Sequence, residues 1–330
     1  MKRTIYIFSD GEIKRKENTL YFETDDGKKY IPVENTSEIL IFGEVTINKR
    51  LLEFLTESEI IMHFFNHYGY YVGTYYPREH LNSGYMILKQ AEHYLDNEKR
   101  LTLAKKFVYG AVENIKKVLN YYANRGKPLN EFIEKINKIS TSIEKCSDTE
   151  ELMAIEGNIR EQYYYAFDHI LDNEHFIFES RSKRPPKNRL NALISFANSL
   201  IYTVCLSEIY HTHLDPRIGF LHSTNMRRFT LNLDVAEIFK PIIGDRVIFT
   251  VVNKDIIRKE HFEQKLDGIV LNDKGKQIFV REMDERLRTT IQHKKLGRNV
   301  SYRHLILLEL YKIQKHLIGE EEYEPFISGW

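Results

Sequence analysis

Asp234 and Glu237 stand three positions apart in "LNLDVAEIFKP", a run whose apolar spacing predicts a helix, so both carboxylates would project from one side of it. Pro241 follows and is expected to stop that helix. His222 precedes Asp234 by twelve residues, after "GFL", at what reads as a helix or turn end from which it can fold back over the acidic face. A third acid, Glu156, lies in "ELMAIEGNIREQYYYAF" on the margin of an apolar stripe formed with Ile155, Ile159 and Tyr163. Gly157 directly follows it. Glycine inside a helix costs about 1 kcal/mol relative to alanine, so it requires a reason such as close approach of another backbone or of a ligand. Two carboxylates and one imidazole would make a mixed oxygen and nitrogen donor set for a divalent ion, suited to Mg²⁺ or Mn²⁺ with water in the open positions. Such an ion polarises a phosphate, lowers the pKa of a bound nucleophile and holds the attacking and leaving oxygens. Each residue also has a plainer role: His222 as a hydrogen-bonded structural residue, the two acids as a solvated face, Glu156 as a surface partner of Arg160 at i, i+4.

The substrate clue lies between these elements. "RSKRPPKNR" carries Arg181, Lys183, Arg184, Lys187 and Arg189, five basic residues in nine with no acid, and its Pro-Pro pair keeps the chain out of a helix. By itself it is as well explained by a solvated loop. Beside a divalent-ion site it points to phosphodiesters, which Arg and Lys clusters hold. Arg227, Arg228 and "HKKLGR" would widen the patch. A competing constellation, "HTHLD" with His211, His213 and Asp215, follows directly on an uncharged helix and is better read as an exposed helix end than as a zinc site.

Composition sets the limits. The 330 residues are 42% hydrophobic, enough for real cores in two domains. Lys plus Arg number 48 against 47 for Asp plus Glu, so any nucleic-acid partner must be held by local patches rather than by a global basic field. Cys146 and Cys205 are too far apart for a zinc knuckle and match no disulfide framework, which fits a reducing, cytoplasmic setting. "MKRTIYIFSDGEIKRK" reaches charged residues before an adequate apolar core forms, so no secretory signal is expected. "LNALISFANSLIYTVCLS" is eighteen residues without a charge, near the lower limit for a membrane span, but its two Asn and three Ser favour a buried central helix, and no membrane partner is expected.

These side chains must be positioned by two kinds of structure. "TIYIFSD", "TLYFETDDGKKYIPV", "SEILIFG", "IIMHFF" and "YYVGTYY" predict short strands, with Asp26-Gly27 as a hairpin turn and "KRLLEFLTES" as one interrupting helix. After a polar link between Pro77 and Gly84 the period becomes helical: "YMILKQAEHYLDNEKRLTLAKKFVYGAVENIKKVLNYYAN" predicts one long amphipathic helix or two in line, and the pattern continues to "SYRHLILLELYKIQKHLIG". "GIVLNDKGKQIFVREM" is expected to be a small hairpin turning at Asp273, Lys274 and Gly275. The fold class is therefore α+β, a small amino-terminal β domain over residues 1–80 followed by a larger all-α domain over 85–330.

Taken together, "LMAIEGNIREQYY", "RSKRPPKNRLNALISFANSLIY", "LDPRIGFLHSTNMRRFTLNLDVAEIFKP" and "SYRHLILLELYKIQKHLIGEEEYEPF" resemble, in that order, the CRISPR-associated spacer-acquisition integrase family, the larger of the two universal adaptation proteins. The resemblance spans essentially the whole chain. It implies a metal-dependent DNA endonuclease and integrase that uses the 3′-hydroxyl of a captured double-stranded fragment to attack a phosphodiester at a CRISPR repeat, and that can take branched DNA apart by the reverse reaction. It implies a homodimer, bridged to a second by a small ferredoxin-like adaptation partner. By motif, the family's metal-binding glutamate falls on Glu156, its histidine on His222 and its aspartate on Asp234, while Glu237 matches a further acid whose role as ligand, proton acceptor or bystander stays open. The length and two-domain layout fit a type I system. A general DNA nuclease and a non-catalytic DNA-binding scaffold are the alternatives.

Overall fold

The computed structural model describes residues 2–78, 81, 83–224, 229–265, 268–293 and 295–329. The chain divides into two compact units, Met1–His80 and Leu81–Trp330.

The first unit contains strands β1 (Arg3–Ile7), β2 (Gly11–Lys16), β3 (Thr19–Thr24), β4 (Gly27–Ile31), β5 (Thr36–Ile41) and β6 (Val45–Thr46), helix α1 (Lys49–Glu57), then β7 (Ile61–Phe65) and β8 (Tyr71–Tyr75). They form two four-stranded sheets, in the orders β1-β5-β7-β8 and β4-β3-β2-β6. Alternate residues of both sheets, among them Ile13, Leu20, Ile39 and Met62, meet Leu51 and Leu55 of α1 in one core. Strand β2, "GEIKRK", was not among the expected strands because only Ile13 of it is buried; its charges face outward, where Lys14 pairs with Glu12 at 2.6 Å and Glu23 at 2.9 Å. The expected hairpin is present, with Asp25 and Asp26 in the turn and Thr24 paired to Gly27.

The second unit is mostly helical: α2 (Gly84–Leu95), α3 (Asn97–Ala123), α4 (Asn130–Ser140), α5 (Thr149–Leu171), α6 (Arg189–Tyr210), α7 (Leu231–Phe239), α8 (Arg246–Asn253), α9 (Asp273–Arg288) and α10 (Tyr302–Leu317). The first long amphipathic stretch is two helices, because Asp96 leaves the helical conformation and its carboxylate accepts the N–H groups of Glu98 and Lys99 to start α3. Helix α6 is long and apolar enough by length and composition to cross a membrane, and most of its apolar window is buried inside the unit. It packs against α7, which packs in turn against α3.

Two expectations fail here, each for a physical reason. The unit is not all-α: it carries the antiparallel pairs β9 (Phe262–Lys265) with β10 (Gly268–Leu271), and β11 (Thr290–His293) with β12 (Arg298–Ser301). The hairpin placed at Asp273–Gly275 does not exist. Asn272 caps α9 instead, its side chain accepting Gly275 N–H at 2.9 Å. Asn, Asp and Gly serve turns and helix starts alike, and the deciding signal is the buried spacing Phe279, Val280, Met283, Leu287, which is helical.

Pro241 does not stop the chain either. Lacking an N–H, it breaks the ladder after α7, and the next turn, Pro241–Asp245, closes with π spacing as Asp245 N–H donates to Lys240 C=O at 3.0 Å. Helix α8 continues directly from it. The consequence for the site is that both Lys240 and Asp245 are buried.

Candidate active site

The segment "GFLH" wraps around one carboxylate. Asp234, fully buried in the first turn of α7, accepts Phe220 N–H at 2.5 Å and Leu221 N–H at 3.0 Å on Oδ2, and His222 N–H at 2.9 Å on Oδ1. The same Oδ1 lies 2.8 Å from His222 Nδ1. Acting as that donor, Nδ1 carries the proton and Nε2 presents its lone pair away from Asp234. Gly219 is required for this wrap, since a Cβ there would stand 2.8 Å from Asp234 Oδ2 and 2.9 Å from Leu231 N. Burial opposes protonation of His222, but the bond and charge of Asp234, with Glu237 behind, raise its pKa above the ordinary histidine value.

The other two acids meet through a cation. Arg160 of α5 donates from Nε to Glu156 at 3.3 Å and from Nη2 to Glu237 at 2.6 Å, while Lys240 Nζ binds the second oxygen of Glu237. The plain i, i+4 pair of Glu156 with Arg160 is thus real, but it faces inward and is shared with α7. Burial opposes ionisation of Glu237, yet Lys240, Arg160 and His222 bring its pKa down to about 2. Glu156 is pushed the other way, by burial and by the charge of Glu237. Lys240 sits with its ammonium 4.8 Å from the centre of the Tyr202 ring, and the attraction of Glu237 raises its pKa against the effect of burial. Arg160 was seen from the sequence only as a surface partner, and Lys240 was missed. Its signal was a lysine three residues after Glu237 and directly before a proline.

Behind Arg160 lies Asp245, buried, its Oδ2 without a hydrogen-bond partner among the described residues. Burial drives this carboxyl up to about 7, although Arg160 and Lys240 pull it down. The folded chain therefore keeps a proton that the unfolded chain releases near the ordinary value of 3.8, and stability falls as pH rises from there through about 7. Asp245→Asn should abolish that slope and raise the melting temperature above neutral pH, by up to about 4 kcal/mol of stability. A variant less stable than the parent at about pH 8, followed by thermal denaturation across pH, would show that the carboxylate is instead needed in its charged form.

The basic loop is only partly free. Arg181 turns inward, donating to Asn191 Oδ1 at 2.9 Å and Ser195 Oγ at 3.0 Å, and Arg189 reaches back to His175 C=O at 3.4 Å. These two act as anchors of the loop on α6 rather than as outward cations, because each has protein acceptors within reach. Lys183, Arg184 and Lys187 are exposed. Burial at its base and repulsion by Arg181 and Lys240 lower the pKa of Lys183, while Glu156 and Glu237 pull it up, which places its ammonium within the field of the acids. Strand β10 holds the loop from below: Ile269 N–H donates to Pro186 C=O at 2.9 Å, and a Cβ on Gly268 would meet that oxygen at 2.4 Å. The small sheet that the all-α expectation omitted is thus what fixes the loop.

Three smaller expectations are settled or fall outside view. Among the described residues a Cβ on Gly157 would meet nothing within 4 Å, so a neighbouring backbone there is not its reason. In "HTHLD", His213 Nδ1 is 2.6 Å from Leu81 C=O and Asp215 is gripped by Arg217, and among the described residues no three metal-ligating side chains gather there. Arg227 and Arg228 lie outside the described residues, as does Lys294 of "HKKLGR".

A family model described as CRISPR associated protein Cas1 matches residues 5–285. A curated relative from Thermodesulfovibrio yellowstonii, named CRISPR-associated endonuclease Cas1 2, is 78% identical over 330 residues, the whole of both chains. The chain belongs to the Cas1 family. A Thermotoga maritima relative named CRISPR-associated endonuclease Cas1 is 52% identical, covering 97% of this chain and 98% of its own. A solved Cas1 structure from Thermotoga maritima superposes with a TM-score of 0.88 at 50% identity, covering 98% of this chain and 99% of the other. A casposase bound to integration product shares the Cas1 fold at a TM-score of 0.88 and 20% identity, covering 100% of this chain and 94% of its own. The resemblance read from the motifs is therefore to the right family.

Proposed function

We propose that this Cas1-family chain is a metal-dependent DNA endonuclease and integrase that joins the 3′-hydroxyl of a captured fragment to a phosphodiester of a CRISPR repeat. The observation that carries this reading is the convergence of Glu156 and Glu237 on Arg160 beside an Asp234-anchored His222, with exposed Lys183 in the same field. The names of the curated relatives support it, as does the shared fold of a casposase bound to its integration product.

The donor set is all oxygen and imidazole nitrogen, which suits Mg²⁺ or Mn²⁺. Glu156 and Glu237 face two fixed cations, Arg160 and Lys240, while Asp234 pairs with the His222 ring. Among the described residues no three such side chains already close on one point. Asp234 is the least suited of the acids to bind directly, because four hydrogen bonds occupy its oxygens. We therefore assign Glu156, His222 and Glu237 as the residues that would hold the ion, and move Asp234, read from the motif as a ligand, to orienting His222. Bound there, the ion would polarise a phosphate oxygen and lower the pKa of the attacking hydroxyl. The chain's own residues do the rest. Lys240 and Arg160 hold Glu237 in place, Asp234 fixes the tautomer and direction of His222, and Lys183, Arg184 and Lys187 take the phosphates of the incoming strand.

A homodimer and a small ferredoxin-like adaptation partner complete the proposal. For a partner, the support is the fold shared, at 17% identity and a TM-score of 0.87, with a chain of a Cas6-RT-Cas1–Cas2 complex, of which this chain covers 36%. Two buried free thiols, Cys146 and Cys205, support a cytoplasmic setting. The test is incubation of the purified protein, with and without the small partner, with a duplex fragment and a repeat-bearing plasmid in Mn²⁺ or Mg²⁺. Joined products are expected. Strands that are cut but never joined would reduce the protein to a nuclease, and no bond breaking under any metal would leave it a scaffold.

A further inference from the structure

The last residues of a domain are ordinarily poorly ordered unless something ties them down. Here Tyr323–Ser328, a stretch after α10 without helix or strand, is held by side chains, and Tyr323, Pro325 and Ser328 are buried. At one end Glu309 of α10, itself buried, accepts the Tyr323 hydroxyl at 2.7 Å and Phe326 N–H at 3.0 Å on a single oxygen. At the other end stands Asn114 in the middle of α3, with no exposed surface. Its Oδ1 accepts Ser328 N–H at 2.8 Å, while Nδ2 donates to Phe326 C=O at 2.9 Å and to Ile238 C=O at 3.0 Å. Two carbonyls need the amide hydrogens and one N–H needs the oxygen, so only this orientation of the amide satisfies all three.

The third of those bonds is the one that reaches the site. Ile238 directly follows Glu237 in α7, and the next residue, Phe239, lies face to face with Phe326, ring centres 6.1 Å apart and planes within 10°. Gly110, one turn before Asn114, lets the three segments meet, since a Cβ there would stand 2.6 Å from Pro325 Cβ and 3.4 Å from Ile238 Cγ1. The last turn of α7 needs such support. Pro241 has no N–H to donate to Glu237 C=O, so the helix loses a ladder bond at the residue whose carboxylate matters most. Ligand side chains tolerate displacements of only about 0.5 Å, and a turn with an open ladder does not hold that tolerance unaided.

We propose that Asn114 and the tail Tyr323–Ser328 are positioning residues, a strap that fixes the last turn of α7 and with it the place of Glu237. Asn114 joins α3, α7 and the tail through one amide, and Phe326 backs Phe239 from the outer side. None of them touches substrate; they act through the backbone of α7. The inference rests on the reading of Glu237 as a residue that would hold the ion, and adds what keeps it in register with Glu156 and His222.

The experiment compares the full-length parent with Asn114→Leu, Phe326→Leu and, as a control for lost core packing alone, Val300→Ala in β12, each held well below its melting temperature. Amide hydrogen exchange of residues 231–240 is followed in metal-free protein, then Mn²⁺ affinity by calorimetry, duplex binding in chelator, and strand transfer at saturating duplex. Asn114→Leu is expected to speed exchange in α7 several-fold. It should weaken Mn²⁺ binding by about ten-fold and lower kcat by about a hundred-fold, with duplex affinity unchanged. Phe326→Leu should move the same readouts in the same direction by less. Parental α7 exchange and Mn²⁺ affinity in folded Asn114→Leu, or changes no larger than those of Val300→Ala, overturn the strap. Should Asn114→Leu fail to fold, Phe326→Leu decides by the same two readouts. A parent that binds no Mn²⁺ removes the metal reading of the site, while exchange in α7 still decides whether the strap fixes that helix.

Discussion

Glu156→Gln is expected to leave the protein folded and to abolish strand transfer, by about a thousand-fold or more, in either Mg²⁺ or Mn²⁺. The substitution keeps size and one acceptor oxygen, so the half-buried position on α5 is filled as before. It removes the charge. Burial and the nearby Glu237 already push the Glu156 carboxyl upward, which means that the folded chain carries this negative charge at a cost that Arg160 and Lys240 partly offset. A residue kept for stability would not be placed so; neutralising it should, if anything, stabilise the fold. Measured together, strand-transfer rate and melting temperature separate the cases. A variant that loses stability and keeps its rate would return Glu156 to the role of a structural partner of Arg160.

Asp234 should behave in the opposite way. Asp234→Asn puts an amide N–H₂ where one oxygen now accepts either Phe220 and Leu221 N–H or His222 N–H and Nδ1, so at least two buried donors lose their acceptor. Each such loss costs about 1–3 kcal/mol. A destabilisation of about 3 kcal/mol or more follows, a fall in melting temperature of roughly 6 to 12 °C in a unit of this size. Activity should fall as well, because His222 is no longer held in one tautomer. The check is thermal denaturation of the variant beside Glu156→Gln. An Asp234→Asn protein that melts with the parent would mean that these bonds do not anchor the loop.

The two acids of "DVAEIF" look alike in sequence and differ in the fold, which shows where reading residues alone stops. Spacing put Asp234 and Glu237 on one side of a helix, and His222 does fold back onto Asp234. Motif and periodicity could not say that the backbone of residues 220–222 would consume both oxygens of Asp234, since that depends on a loop whose path Gly219 alone permits. The same limit explains Lys240. Read locally, Pro241 ends a helix; in place, it opens a π turn that buries Lys240 against Glu237, which needs α5 on the other side to make sense. The strands of the first unit and the long helices of the second announce themselves by period because burial repeats along them. Strand β2 does not, because a single buried isoleucine carries no period, and the start of helix α9 is masked because Asn272, Asp273 and Gly275 cap a helix with the residues that also make a turn. The basic loop was legible as charge but not as exposure: Arg181 and Arg189 are drawn to acceptors on the protein, and Lys183, Arg184 and Lys187 are exposed.

The division of labour between Glu237 and Asp234 is settled by titrating Mn²⁺ into the purified protein by calorimetry, beside Glu156→Gln and Glu237→Gln. One ion per chain is expected for the parent, with Glu237→Gln weakened as severely as Glu156→Gln. Parental Mn²⁺ affinity in a folded Glu237→Gln protein would contradict the assignment and hand the position back to Asp234.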